Sequence, residues 1–169
     1  MPLTQVSAAL LSSDANAQGF RNRIINGDMR IDQRNAGAAT TPAASAYTLD
    51  RWYLDVTQAN KFTIQQNAAS VTPPAGFINY LGATVAATQT VAASDYFWLA
   101  QFIEGLNIAD LGWGSANAQT VTLSFWVRSS LTGTFGGAVQ NSASNRSYAF
   151  SYTISAANTW EQKSITIPG

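Results

Sequence analysis

Two tryptophans and an arginine are the side chains of this sequence best suited to contacting a ligand. Along residues 120–128 apolar and polar positions alternate, and Trp126 and Arg128 fall in the polar set. A period of two is typical of a strand with one buried face, so we expect both side chains on the outer face. An exposed indole can stack on a sugar ring. We therefore take Trp126, Arg128 and the loop residue Trp113 as candidates for carbohydrate binding.

Packing is the alternative role for each of these tryptophans. A second sheet, a neighbouring subunit or a loop could cover Trp126, and we favour packing there because tryptophan is common in buried interfaces. Trp113 lies between two glycines, and we expect its ring to plug one end of the fold. Trp52 is predicted to lie in the core, and Trp98 and Trp160 are predicted to have packing roles.

Three oxygen-bearing side chains are candidates for binding a metal ion. Asn26, Asp28 and Asp50 offer amide and carboxylate oxygens, which are the ligands that calcium prefers. The sequence has no D-x-D-x-D-G loop, so turn capping and surface charge are the simpler roles for Asp28 and Asp32. Asp50 and Arg51 are adjacent, and we predict a local ion pair between them.

Catalytic chemistry has little support in the sequence. Glu104 and Asp110 lie close enough along the chain to be considered as an acid and base pair. Their positions at the end of a strand and in the following turn favour a structural role. The chain contains no histidine, which excludes the Ser-His triad and the commonest zinc ligand. We predict that the protein is not an enzyme.

The composition narrows the class of partner. Charged residues make up 11% of the chain, and nine basic residues balance nine acidic ones, whereas ordinary soluble domains contain roughly 25% charged residues. A chain without net charge has no long-range attraction to nucleic acid or anionic lipid. The sequence also contains no cysteine, no apolar run long enough to span a membrane, and no secretory signal pattern at residues 1–17. We expect neither a nucleic-acid partner nor membrane insertion.

Short alternating segments separated by turn residues predict an all-β antiparallel sandwich. A brief helical turn is expected at residues 106–111. Segment 96–104 has apolar side chains on both faces, so we expect it to be buried on both sides. The predicted strand segments are 47–56, 62–66, 77–85, 96–104, 120–128, 133–140, 148–155 and 161–167.

Residues 1–20 are predicted to be an appendage separate from the sandwich at residues 21–169. They contain a short apolar patch that includes Val6, Leu10 and Leu11, followed by a polar stretch. A patch of this length is marginal by itself and needs a surface on which to dock.

Several motifs taken in order resemble a known family. RNRIINGDMRIDQR, YTLDRW, QFIEGLNIADLGWG and the stretch that begins TVTLSFWVRSS closely resemble a domain found repeatedly in bacteriophage tail fibre and related virion appendage proteins. The layout is similar to that of jelly-roll carbohydrate-binding modules, and the resemblance runs from about residue 22 to the last residue. It implies a jelly-roll sandwich that packs with identical copies as a homotrimer, and it allows a structural calcium ion.

The resemblance also implies a function. The chain would be a structural component of a phage virion, in a tail fibre or similar appendage, that supports host adsorption. Val6, Leu10 and Leu11 would attach it to other virion tail proteins, and the protein would be made in the host cytoplasm and released by lysis. The alternatives are a carbohydrate-binding module that itself recognises a host surface glycan, and a head decoration protein of the same fold.

Members of this family usually continue past the Ile-Pro-Gly turn, which ends here at Gly169. The resemblance therefore implies that the last strands of the sandwich are missing from this sequence. They would lie further along a longer chain, or another chain would supply them by donor-strand pairing.

Overall fold

The structure, a computed structural model, describes residues 21–169. Residues 1–20, with the attachment candidates Val6, Leu10 and Leu11, lie outside the described residues. The described part contains nine strands and three short 3-10 turns, at Ala68–Ser70, Gly105–Asn107 and Ala109–Leu111. The strands are β1 (Ala46–Leu49), β2 (Trp52–Val56), β3 (Phe62–Gln66), β4 (Leu81–Val85), β5 (Phe97–Ala100), β6 (Val121–Val127), β7 (Gly133–Gln140), β8 (Ser147–Ile154) and β9 (Glu161–Ile167).

All of the strand pairs are antiparallel, which confirms the predicted all-β class. β2 lies between β1 and β5 in a three-stranded sheet, and β3–β4, β6–β9 and β7–β8 form two-stranded sheets. β1 also contacts β3, and β8 contacts β9. This arrangement is consistent with a β-sandwich, and the jelly-roll strand order stays a prediction.

The first predicted strand, at residues 47–56, is a hairpin of two strands. Leu49 of β1 is paired with Trp52 of β2, so Asp50 and Arg51 form the turn. Arg51 adopts a positive φ of 75°, in a region that residues other than glycine rarely occupy. Aromatic residues stand on both sides of the turn, and no glycine or proline marks it, which is why the sequence pattern did not show the break.

The core is small and is formed by side chains from several sheets. Ile64, Ile154 and Leu49 are almost completely buried. The inner face of β6 packs against the β7–β8 hairpin, where the rings of Phe125 and Tyr152 meet edge to face at 5.1 Å. The predicted alternation along β6 is confirmed, because its apolar residues face this contact and its polar residues are exposed.

β5 corrects two of the predictions. The strand covers four residues instead of nine, and neither of its faces is fully covered, since Trp98 is 39% exposed and Leu99 is 38% exposed. The prediction that this segment is buried on both sides is therefore wrong. The physical reason is that, among residues 21–169, β5 pairs with β2 alone and so forms the edge of its sheet.

A membrane-spanning helix is not found among residues 21–169, since none of their helical segments has the length and apolar character required.

Candidate functional site

The outer face of the β6–β9 pair carries Trp126, one of the candidates for carbohydrate binding. The antiparallel register places Trp126 opposite Gln162 and Ser124 opposite Ser164, so the outward side chains of the two strands lie side by side. We call this surface the β6–β9 outer face, and its members, all of them exposed, are Thr122, Ser124, Trp126, Gln162, Ser164 and Thr166.

This face combines a single aromatic ring with neutral hydrogen-bonding groups. Trp126 is 36% exposed, so its ring is accessible from solvent. The four hydroxyl groups and the Gln162 amide can each donate and accept hydrogen bonds. A sugar ring requires both kinds of contact, because its C–H groups suit an aromatic face and its hydroxyl groups need polar partners. The face is therefore chemically suited to an uncharged carbohydrate.

Arg128 lies just beyond the end of β6 and has a structural contact. Its Nε donates a hydrogen bond of 2.9 Å to the carbonyl oxygen of Asn158. The backbone N–H of Asn158 in turn donates to Ser129 O at 2.7 Å. Arg128 is half-buried, and these bonds fix the turn between β8 and β9 beside the end of β6. The Arg128 guanidinium group thus holds the β8–β9 turn against the end of β6, near Trp126.

Trp113 is held in the loop before β6. Its indole N–H donates to Gln119 O at 2.8 Å, and the side chain is half-buried. Gln119 precedes the first residue of β6, whereas Trp126 is near the last, which separates the two indoles by about 20 Å at the usual rise of a strand. The structure does not bring Trp113 and Trp126 together, and one sugar unit cannot contact both.

The three candidate metal ligands are occupied by hydrogen bonds and an ion pair. Asn26 donates from Nδ2 to Ile31 O and Asp50 O at 2.8 and 2.9 Å, and its Oδ1 accepts from Ile31 N at 2.9 Å. Asp28 pairs with Arg30 at 2.6 Å. Within residues 21–169 no group of three or more acidic side chains is placed to hold a metal ion. Each candidate therefore has a hydrogen bond or an ion pair of its own, and calcium binding at these residues stays a prediction.

Asp50 and Asp32 accept hydrogen bonds from backbone N–H groups and so serve as caps in segment 32–37. Asp50 Oδ2 accepts a hydrogen bond of 2.6 Å from Gln33 N. Asp32 accepts from Asn35 N and from Gly37 N, at 3.1 and 2.7 Å. The predicted role of Asp32 as a turn cap is confirmed, and the polar side chains of this segment hold its irregular backbone against the β1–β2 turn.

Glu104 and Asp110 are bound by separate arginines. Asp110 makes a two-pronged contact with Arg23 at 2.6 and 2.8 Å, and Glu104 pairs with Arg51 at 2.6 Å. Hydrogen bonding by Arg51 lowers the pKa of Glu104 to about 2, and Arg23 lowers the pKa of Asp110. Both carboxyl groups are ionised at neutral pH, so neither is suited to donate a proton. Because Arg51 pairs with Glu104, the predicted ion pair between Asp50 and Arg51 is wrong.

The sequence analysis missed a second exposed surface, on the outer side of the β1–β2–β5 sheet. The ring of Tyr53 lies 5.1 Å from Tyr47 and 5.6 Å from Phe102, and Tyr96 lies 6.4 Å from Trp98. We call these five side chains the aromatic face. The available signal was the spacing of Tyr96, Trp98 and Phe102 by even numbers of residues, which shows a shared face but not its exposure.

The two surfaces differ in chemistry. The β6–β9 outer face carries one indole among hydroxyl and amide groups, whereas the aromatic face is mainly apolar, as the centre of a protein–protein interface is. Comparisons of the chain with protein-family models, with curated proteins and with solved structures found no match.

Proposed function

We propose that this chain is a structural component of a phage virion, in a tail fibre or similar appendage, and that it supports host adsorption. The ordered motifs that resemble such proteins support the proposal. The observation that carries it is the exposure of large apolar side chains on an antiparallel β scaffold with few charges, including Trp98, Phe102 and Tyr47. Extensive exposed apolar surface is typical of proteins that function in contact with other proteins.

The low charge of the chain suits this role. Contacts made by shape, aromatic rings and neutral polar groups are little affected by ionic strength, whereas contacts between exposed charges are screened by salt. An appendage that meets its host in media of varying salt content benefits from such contacts. A head decoration protein would have the same surface requirements, so the location within the particle is a separate question for experiment.

The test is to find the chain in purified particles. Peptides of this sequence are expected in the mass spectrum of gradient-purified virions, and a labelled antibody should mark the tail in electron micrographs. If the antibody marks the head instead, the chain is a head decoration protein and the tail assignment is wrong. Absence of the peptides from particles in which other minor virion proteins are detected would contradict the proposal.

A second candidate function is direct recognition of a host surface glycan. The specific observation is the β6–β9 outer face, where an accessible indole lies at one end of a row of hydroxyl side chains. One such site on a flat face is expected to bind weakly. Several copies on one particle would raise the overall avidity without any new contact.

Glycan arrays test this second function with matched variants. Trp126→Ala is expected to reduce binding roughly ten-fold or more, which corresponds to the loss of about 1.4 kcal/mol. Tyr47→Ala is the control, because it removes an aromatic ring of similar exposure from the other sheet. Equal loss in both variants, or no loss in Trp126→Ala, would remove the β6–β9 outer face as the glycan site.

A further inference from the structure

We propose that two copies of this chain pair along the open edge of β5, in an antiparallel register that places Trp98 opposite Trp98 of the second copy. This inference goes beyond the proposed function and concerns a different surface from the glycan candidate. It rests on the hydrogen-bond pattern of β5, on the composition of its edge, and on the cavity beside Phe97.

The hydrogen-bond pattern shows which backbone groups of β5 face outward. Thr57 N donates to Tyr96 O at 3.2 Å, so the backbone of Tyr96 faces the β2 side. Bonded and non-bonded pairs alternate in an antiparallel ladder, and therefore Trp98 and Ala100 also face β2. The backbone N–H and C=O groups of Phe97 and Leu99 consequently point away from the sheet.

The opposite edge of β2 agrees with this assignment. Val56 N donates to Ser45 Oγ at 3.2 Å, on the β1 side of the strand. Val56 is paired with Phe97, so this pair is not hydrogen-bonded within the sheet. The outward groups of Phe97 and Leu99 have no hydrogen-bond partner among residues 21–169. They can accept and donate four hydrogen bonds to a further strand.

The residues of this edge also lack two of the features that prevent pairing. Natural proteins protect sheet edges with charged side chains, proline or bulges. Residues 96–103 read YFWLAQFI and contain neither a charge nor a proline. Four of their side chains are substantially exposed: Tyr96, Trp98, Leu99 and Phe102. An uncharged apolar edge of this kind favours association.

A second copy is the occupant that this edge fits best. With Trp98 opposite its own counterpart, Phe97 of each copy faces Leu99 of the other, and these two pairs make all four hydrogen bonds. Trp98 then occupies a non-hydrogen-bonded site, where the Cα atoms are about 4.5 Å apart and an aromatic pair stabilises the ladder. Asp95 would face the neutral Gln101, so no like charges meet across the two-fold axis.

This pairing affects the apolar surfaces on both faces of the sheet. On the outer side, the aromatic faces of the two copies join into one. On the inner side, Phe97 lines a cavity of about 180 Å³ together with Phe62, Val85 and Val91. The partner's Leu99 would lie beside Phe97 on the same face, where it can cover apolar surface next to this cavity. The result is a six-stranded sheet with a two-fold axis, and this stoichiometry differs from the homotrimer that the resemblance implies.

Disulfide trapping tests the register directly. The chain has no cysteine, so any disulfide in a single-cysteine variant must join two copies. Trp98→Cys is expected to form a covalent dimer under mild oxidation, because the predicted Cα separation lies within the disulfide range. Trp126→Cys is the matched control for an exposed tryptophan on another sheet and should remain monomeric on a non-reducing gel. Leu99→Cys should also remain monomeric, because its symmetry mate is offset by two residues along the strand.

The mass of the full chain provides a second, independent measurement. Light scattering should give the mass of two copies, and Leu99→Pro should give one, because proline removes an outward N–H while the bonds to β2 are kept. Leu99→Ala keeps that N–H and should still dimerise. A wild-type monomer at tens of micromolar, or a Trp98→Cys thiol that stays reduced and protected from alkylation, would overturn the inference. The second result would assign the edge to another segment of the same chain.

Discussion

Arg51 and Glu104 form an ion pair of 2.6 Å that joins the β1–β2 turn to the segment following β5. The same guanidinium group donates a hydrogen bond of 3.0 Å to Phe102 O. Within the described part of the chain β5 has one neighbouring strand, so these contacts beyond its end help to fix the edge and the aromatic face.

Acid is expected to weaken the fold through this ion pair. Hydrogen bonding by Arg51 lowers the pKa of Glu104 from its ordinary 4.5 to about 2. A carboxyl group whose pKa is lowered on folding stabilises the folded state above its unfolded pKa, and this contribution is lost as the pH falls through the folded pKa. The free energy of unfolding should therefore decrease between about pH 4.5 and pH 2, as measured by urea denaturation at a series of pH values.

Glu104→Gln is the control for this pH dependence. The amide cannot ionise, so the decrease in stability over the same pH window should be shallower than in the wild type. Some decrease should persist, because Asp95, Asp110 and Glu161 also have lowered pKa values from their own hydrogen bonds. The side chain of Glu104 is 50% exposed, so the difference is expected to be modest. Identical slopes in the two proteins would show that the ion pair does not contribute.

Replacement of the buried Thr48 hydroxyl is expected to stabilise the protein. Thr48 is 2% exposed, and its Oγ1 has no hydrogen-bond partner among residues 21–169. Burial of an unpaired hydroxyl group costs roughly 1–3 kcal/mol. Thr48→Val keeps the branched shape and should raise the free energy of unfolding by about 1 kcal/mol. Thr63→Val is the comparison, because Thr63 shares a hydrogen bond of 2.8 Å with Thr41. This variant should not be stabilised, and a gain as large as that of Thr48→Val would contradict the explanation.

Two neighbouring glycines in β7 should respond differently to alanine. A Cβ atom on Gly137 would lie 2.5 Å from the ring of Phe150, whereas one on Gly136 has no atom nearer than 3.7 Å. Gly137→Ala must displace the ring and is expected to destabilise the protein by about 1–3 kcal/mol. Gly136→Ala should be neutral or slightly stabilising, because it restricts the unfolded chain. Thermal or chemical unfolding measures both, and equal effects would show that the ring moves freely.

The stability of the protein should be sensitive to truncation of Ile154 in the core. This side chain is 1% exposed, and Ile154→Ala is expected to lower the free energy of unfolding by about 2–5 kcal/mol, since it leaves a cavity. Ile78 is 67% exposed, and Ile78→Ala should change stability by no more than about 0.5 kcal/mol. A small effect at Ile154 would indicate that the sheets rearrange to fill the space.

The strands of the second half of the chain could be predicted from the sequence to within one residue at each end. β7 and β9 cover the predicted residues 133–140 and 161–167, and β6 and β8 differ from prediction by one residue at their ends. Their clean period of two is a local property, because successive side chains of a strand point to opposite faces. The outward position of Trp126 followed from the same local rule.

The tertiary structure decided which faces are covered and which charges meet. The apolar residues on both faces of segment 96–104 predicted a doubly buried strand, but β5 is an edge, because β2 is its one neighbour among the residues that the structure describes. Arg23 and Arg51 bind Asp110 and Glu104, which are distant along the chain and carry no sequence signal of their partners. Periodicity fixes which side chains share a face of a strand, whereas the cover on that face depends on pairing between strands that are remote in sequence. The sequence by itself therefore determined the all-β class and the direction of Trp126, and the exposure of Trp98 was decided only when the sheets came together.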